Sequence, residues 1–125
     1  MDITKARRNV IEQQVRPWGG LNGRANRALS EVPRENFVPQ DFQGLVFADT
    51  EIPLSDNAKM FSPKIEGRIL DSIDVQSDES VLEIGTGSGY FTAVLGKLSG
   101  SVVSIEIDQT LSTTAKKNLD SLAID

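Results

Sequence analysis

Three glycines at alternate positions, Gly85, Gly87 and Gly89 in "VLEIGTGSGY" (residues 81–90), sit directly behind an apolar, β-prone run. Behind them Tyr90, Phe91, Val94, Leu95 and Leu98 recur at helical spacing. "SVVSIEI" (101–107) then alternates into a second strand, and Asp108 is placed to cap a last helix bearing Leu111, Ala115, Leu119 and Leu122. A strand, a glycine turn, a helix and a strand at this spacing form a parallel unit with a right-handed crossover, the start of a doubly wound sheet. "SVLEI" is expected to be a short buried strand. In such a unit the turn lies at the carboxyl end of the first strand, where ligands of open α/β sheets bind. Gly85 and Gly87 let the chain turn sharply and admit a ligand to the backbone, and Gly89 permits close packing at the helix start.

Glu106 stands twenty-one residues after Gly85, at the end of the second strand. That is about the 20-residue offset at which a carboxylate accepts hydrogen bonds from both hydroxyls of a ribose. The ligand is therefore a nucleoside. A dinucleotide fingerprint places its glycines first, third and sixth; here they stand first, third and fifth, with Tyr90 sixth, which makes an NAD-dependent dehydrogenase the weakest reading. Glu83, two residues before the first glycine, adds negative charge beside the loop, suited to a ligand carrying an ammonium or sulfonium group. S-adenosyl-L-methionine meets both conditions. The competing reading is a plain turn beside a solvated strand-end Glu83.

The first part of the chain is different in character. Ile3, Val10, Ile11, Val15 and Trp18 recur at helical spacing until "PWGG", with Lys5, Arg7 and Arg8 on one solvated face. Asn22 can cap a short second helix carrying Ala25, Ala28, Leu29 and Val32, which Pro33 and Pro39 of "VPRENFVP" bring to an end. Residues 37–54 read as loop with short extended pieces. Ser62 before Pro63 is a helix start, a hydroxyl cap followed by proline at the first helical position; Ile65, Ile69, Leu70 and Ile73 supply the buried face of a helix running to Ile73 or Asp74. With no serine- or glycine-rich linker, residues 1–125 read as a single domain, in which 1–76 pack on the glycine-loop unit of 77–125.

Composition narrows the chemistry. The 125 residues are 38% hydrophobic, enough for a core. Thirteen basic against eighteen acidic residues give a net charge of −5, which argues against nucleic acid or an anionic membrane as the main partner. No cysteine and no histidine occur, removing thiolate catalysis, disulfides and the commonest metal ligands. No stretch approaches the length of a membrane span and the N-terminus lacks an apolar signal core, so a cytoplasmic location is the expectation.

"VLEIGTGSGY" followed by "VVSIEID" resembles the first two cofactor motifs of the protein-L-isoaspartate O-methyltransferases. "EVPRENFVP" followed by "FADTEIPL" is similar to that family's N-terminal segment at the same distance upstream, and the resemblance covers nearly the whole chain. It implies a Rossmann-like class I methyltransferase fold of the α/β class, preceded by an N-terminal helical segment. It also implies transfer of a methyl group from S-adenosyl-L-methionine to an L-isoaspartyl or D-aspartyl carboxylate of a damaged protein. Glu83, Gly85, Thr86, Gly87, Ser88 and Gly89 would cradle the methionine part of the cofactor, Glu106 its ribose, and Ile107 would pack on the adenine.

Two departures stand out. Where the family carries Gly-His-Gly-Gln-Thr-Ile-Ser, lining the methyl-acceptor pocket, this chain has "SDNAKMFSP" (55–63). The expected serine falls on Phe61, with Ser62 one residue away; Ser62 reads first as a helix cap and second as the catalytic hydroxyl. The other departure is that the sequence stops after about two strands of a seven-stranded sheet. Part of the pocket is then expected to be missing, and two readings stand side by side: a fragment of a longer protein, or a short form whose exposed sheet edge invites self-association. The 125 residues alone are expected to be inactive. The alternative function is a truncated or degenerate member of the fold serving as a cofactor-binding or interaction module.

Overall fold

The computed structural model describes residues 3–9 and 23–122. The expected contributions of Trp18 and of Asn22 as a cap lie outside the described residues. In chain order the elements are α1 (Ile3–Asn9), α2 (Gly23–Glu31), two short 3₁₀ helices (Arg34–Asn36 and Gln40–Leu45), β1 (Ile52–Ser55) and β2 (Ala58–Met60). They are followed by α3 (Pro63–Ile73), β3 (Ser80–Ile84), α4 (Tyr90–Leu98), β4 (Ser101–Ile105) and α5 (Gln109–Asp120).

β3 and β4 pair in parallel, in the register Ser80 to Ser101 through Ile84 to Ile105, with α4 as the crossover. This is the expected strand, helix, strand unit, and it is the opening of a Rossmann-like sheet. Asp108 caps α5 as its position demanded, its Oδ1 accepting the Thr110 and Leu111 amides at 2.9 and 3.1 Å. The strands are not buried on both faces, however. Val81 and Val102 pack on the core, while Leu82, Ile84, Val103 and Ile105 are 51–75% exposed. The alternation follows from the period of two along a strand: the described helices cover one face of the sheet and leave the other open.

One apolar cluster runs through both parts of the chain. It joins Ala25, Ala28, Leu29 and Val32 to Phe37, Ile52, Leu70, Val94 and Leu98. Small residues on α2 let it approach α4, and Arg24 fastens the contact. The Arg24 guanidinium donates to the carbonyls of Val75 at 2.7 Å and Leu98 at 2.6 Å, the latter at the last residue of α4, where carbonyls lack helical partners. Arg24→Ala is therefore expected to lower the unfolding free energy by about 1.5–3 kcal/mol, the range for hydrogen bonds to charged groups, as read from urea denaturation. An unchanged midpoint would mean that water replaces Arg24 at no cost.

Three further expectations need correction. Residues 37–54 hold the expected short extended piece, β1 from Ile52, but Gln40–Leu45 is wound into a 3₁₀ helix where loop was expected. "SDNAKM" closes an antiparallel hairpin of β1 with β2, irregular between Pro53 and Ser55. Arg7 is not on a solvated face, because it forms a forked ion pair with Glu35 at 2.5 and 2.6 Å. Finally, α3 is rotated from its apolar stripe. It buries Pro63, Glu66, Gly67 and Leu70 and leaves Ile65 and Ile73 at 41% and 48% exposure. The buried acid explains the rotation, since Arg34, itself 3% exposed, meets Glu66 at 2.5 Å across the helix face.

Candidate functional site

The turn from β3 into α4 contains all three glycines of the loop at positive φ: Gly85 at 95°, Gly87 at 58° and Gly89 at 91°. Gly89 is the residue immediately before α4, and its left-handed backbone redirects the chain into the helix. At Gly87 an added Cβ would also come within 3.3 Å of the Leu54 Cδ1, so the hairpin closes over the loop as tightly as a bare backbone allows. The loop is tied to the next strand by Gly85, whose amide donates to the Ile105 carbonyl at 2.7 Å.

Glu106 reaches back from the end of β4 onto this turn. One carboxylate oxygen accepts the Gly87 amide at 2.8 Å and the other accepts the Asp108 amide at 3.0 Å. A carboxylate offers about four lone-pair sites, so two such bonds leave capacity for hydroxyl donors while fixing the group at the loop. Ile107, the next residue, is fully exposed, an apolar side chain standing beside an anion at the mouth of a glycine turn.

Glu83 lies beneath the loop rather than in solvent. Its Oε1 accepts the hydroxyls of Thr92 and of Ser104, the latter at 2.7 Å, and Ser104 meets the Thr86 hydroxyl at 2.5 Å. Burial raises the Glu83 pKa, the two hydroxyl bonds oppose the rise, and the charge of Glu106 adds to it. Ser88 is turned inward at 6% exposure, with its Oγ accepting the Tyr90 amide at 3.2 Å and its carbonyl accepting from Asn118 at 3.0 Å. Thr86 and Ser88 thus brace the loop with their side chains.

The loop forms one wall of a cleft. Gly85, Thr86, Gly87, Ser88 and Glu83 face Leu54, Met60 and Phe61 of the hairpin side, with Glu66 and Tyr90 at the base. Its volume of 60 Å³ would take the end of an extended ligand, whereas a site that encloses a whole drug-sized molecule runs to about 300 Å³ or more. Phe61 lines this cleft and is 48% exposed. Ser62 occupies the residue before α3, but its side chain makes no capping hydrogen bond, so the expected cap is corrected to position without contact. Its φ of −65° already suits the approach to Pro63, whose ring removes one of the amides a cap would serve.

Sequence reasoning gives no site role to Arg34, Glu66 or Tyr90. A signal is present all the same: Glu66 and Leu70 are four residues apart, so a carboxylate shares the buried face of α3 and requires a cation.

The match to known proteins is broad. The family model for protein-L-isoaspartate(D-aspartate) O-methyltransferase matches residues 6–125. A protein-L-isoaspartate O-methyltransferase from Syntrophus aciditrophicus is 38% identical over 118 residues, covering 94% of this chain and 54% of that protein. One from Petrotoga mobilis is 34% identical, covering 98% of this chain and 57% of its own length. The chain thus spans about half the length of the curated relatives it matches. Among solved structures, a protein-L-isoaspartate O-methyltransferase superposes with a TM-score of 0.75 at 26% identity, over 85% of this chain and 36% of that one. A candidate enzyme of the same name from Plasmodium falciparum, in complex with S-adenosyl-L-homocysteine, gives 0.80 at 19% identity, over 95% and 59%. No helix among the described residues is long and apolar enough to cross a membrane. With a family match that runs from residue 6 to the last residue and a fold that agrees with it, this chain belongs to the protein-L-isoaspartate(D-aspartate) O-methyltransferase family.

Proposed function

We propose that these residues form the cofactor-loop half of a protein carboxyl methyltransferase that takes S-adenosyl-L-methionine as methyl donor and L-isoaspartyl or D-aspartyl residues of cytoplasmic proteins as acceptors. The observation that carries this reading is the turn itself: three glycines at positive φ, with the Glu106 carboxylate held against the Gly87 amide. Gly85, Gly87 and Gly89 leave the backbone bare for the methionine part, and Thr86 and Ser88 brace the loop. Glu83 supplies negative charge below it, Glu106 accepts from the ribose, and the exposed Ile107 offers the adenine an apolar surface. The cofactor supplies an electrophilic methyl group on a sulfonium. An aspartyl carboxylate is ionised at neutral pH, so the acceptor needs no base and the absence of histidine is no obstacle. Rate then depends on alignment and on exclusion of water.

Phe61 in the place of the expected serine favours a second reading for these 125 residues taken alone, a binding module without turnover. Both readings place residues 1–76 and 77–125 in one folding unit, and the open edge of the β3–β4 sheet is where self-association would occur. Calorimetry with S-adenosyl-L-homocysteine separates the glycine-loop assignment from a plain turn. The chain is expected to bind weakly, and Glu106→Ala to weaken binding by about 10- to 100-fold, the equivalent of about 1.5–3 kcal/mol for a charge-assisted hydrogen bond. Equal affinity in the two proteins would remove Glu106 from the site. A radiolabelled methyl-transfer assay on an isoaspartyl peptide decides between enzyme and module; no turnover is expected from the chain alone.

A further inference from the structure

Arg34 gathers four separate segments at one buried point. Its Nε donates to the Val46 carbonyl at 3.0 Å, beyond the second 3₁₀ helix, and one terminal nitrogen donates to the Phe61 carbonyl at 3.1 Å, between β2 and α3. The other terminal nitrogen meets Glu66 in the first turn of α3 at 2.5 Å, and the guanidinium carbon lies 4.8 Å from the centre of the Tyr90 ring, at the start of α4. Phe37 meets that ring in a T-shaped contact, with the centroids 5.7 Å apart. A planar fork with five donors can satisfy such divergent acceptors at once, and lysine cannot. Three of the four segments border the cleft: Phe61 belongs to the hairpin wall, Glu66 and Tyr90 lie at the base, and Tyr90 follows directly on the glycine turn.

We propose that Arg34, oriented by Glu66, is a positioning residue that fixes the hairpin wall at Phe61 against the glycine loop and so sets the width of the ligand cleft. The assignment of a ligand to the cleft rests on the function proposed above; the coupling of its two walls does not. Neither side chain is asked to touch the reacting groups. Arg34 acts on one wall through the Phe61 carbonyl and on the other through the face of Tyr90. Glu66 keeps the guanidinium in the orientation that permits both.

Amide hydrogen exchange resolved by NMR in the ligand-free chain tests the coupling. The Glu66 amide, bonded to the Ser62 carbonyl, reports the first turn of α3, and the Gly89 amide, bonded to the Thr86 carbonyl, reports the loop. The Asp74 and Ser99 amides, bonded to Leu70 and Leu95, report the far ends of the same two helices. Arg34→Lys retains the charge and loses the fork; it is expected to speed exchange at Glu66 and Gly89 by about tenfold relative to Asp74 and Ser99. Glu66→Gln retains an acceptor for Arg34 and should leave all four rates in their wild-type proportion. The apolar double variant Arg34→Met with Glu66→Leu replaces the ion pair by packing, a change that often leaves stability intact. It is expected to keep the wild-type urea midpoint yet show the same selective acceleration as Arg34→Lys, and a roughly tenfold weaker affinity for S-adenosyl-L-homocysteine. Uniform acceleration at all four amides, or none in Arg34→Lys, would overturn the proposal by reducing Arg34 to a contributor to overall stability. If the wild-type chain bound no S-adenosyl-L-homocysteine, the functional reading would fall, and the exchange ratios would still decide the role of Arg34.

Discussion

Arg34→Met is expected to lower the unfolding free energy by about 3–5 kcal/mol, since each buried acceptor left without its donor costs about 1–3 kcal/mol and Arg34 serves three. The substitution leaves Glu66, 2% exposed, without its partner at 2.5 Å, so the carboxyl takes up a proton at neutral pH and sits in the core without the donor it was folded against. It also deprives the carbonyls of Val46 and Phe61 of a donor. Domains of ordinary stability have only about 5–15 kcal/mol to lose, so the variant should sit at the edge of folding at 25 °C. Urea denaturation at neutral pH is the measurement. A shift below about 1 kcal/mol would show that the pair is no more than a surface-type contact.

Glu66→Gln is expected to do the opposite at alkaline pH. Burial pushes the Glu66 pKa up to about 7 from its ordinary 4.5, and the attraction and hydrogen bond of Arg34 pull it down without overcoming that rise. The native state therefore holds a proton that the unfolded chain releases between these two values, and stability must fall as pH rises through that window. The contribution from this one group is fully present below about pH 4.5 and is lost as pH rises through about 7. It amounts to about 3 kcal/mol. The introduced amide imitates the protonated acid and keeps an acceptor for Arg34, so the variant should match the wild type near pH 4.5 and exceed it by about that amount at pH 8. Denaturation curves taken at half-unit steps for both proteins give the difference directly, with the other carboxylates cancelling. A difference that stays flat from pH 4.5 to 8 would place the Glu66 carboxylate outside the buried environment that raises its pKa.

The parts of the site legible in the sequence are those whose chemistry is local. Gly85, Gly87 and Gly89 announce positive φ because other side chains resist it, and all three adopt it. Glu106 is located by its offset from that turn because a strand, helix and strand of fixed rise place the second strand end beside the first. Asp108 caps α5 because a carboxylate before a helix has its own amides within reach. The parallel pairing of β3 with β4 follows from the same periodicities.

Residues 37–60 are harder to read, because 3₁₀ turns and a hairpin of strands four and three residues long, irregular in the first, have no period long enough to register. The face of α3 misleads for a related reason. Its apolar stripe suggests Ile65 and Ile73 as buried, but the rotation is set by Arg34, 32 residues upstream of Glu66, which no local pattern contains. Ser62 has the residue type of a cap and the position of one, and only the folded backbone shows that its side chain makes no capping bond.

The sequence by itself thus determined the glycine turn, the carboxylate that meets it, the parallel unit that carries both and the family to which they point, since each depends on contacts within or between consecutive elements. Tertiary structure alone decided which face of α3 is buried, that Arg7 pairs with Glu35, and that Arg34, Glu66 and Tyr90 form the base joining the two walls of the cleft. Those choices turn on the cost of burying a charge without its partner, and the partner is found only when distant segments of the chain come together.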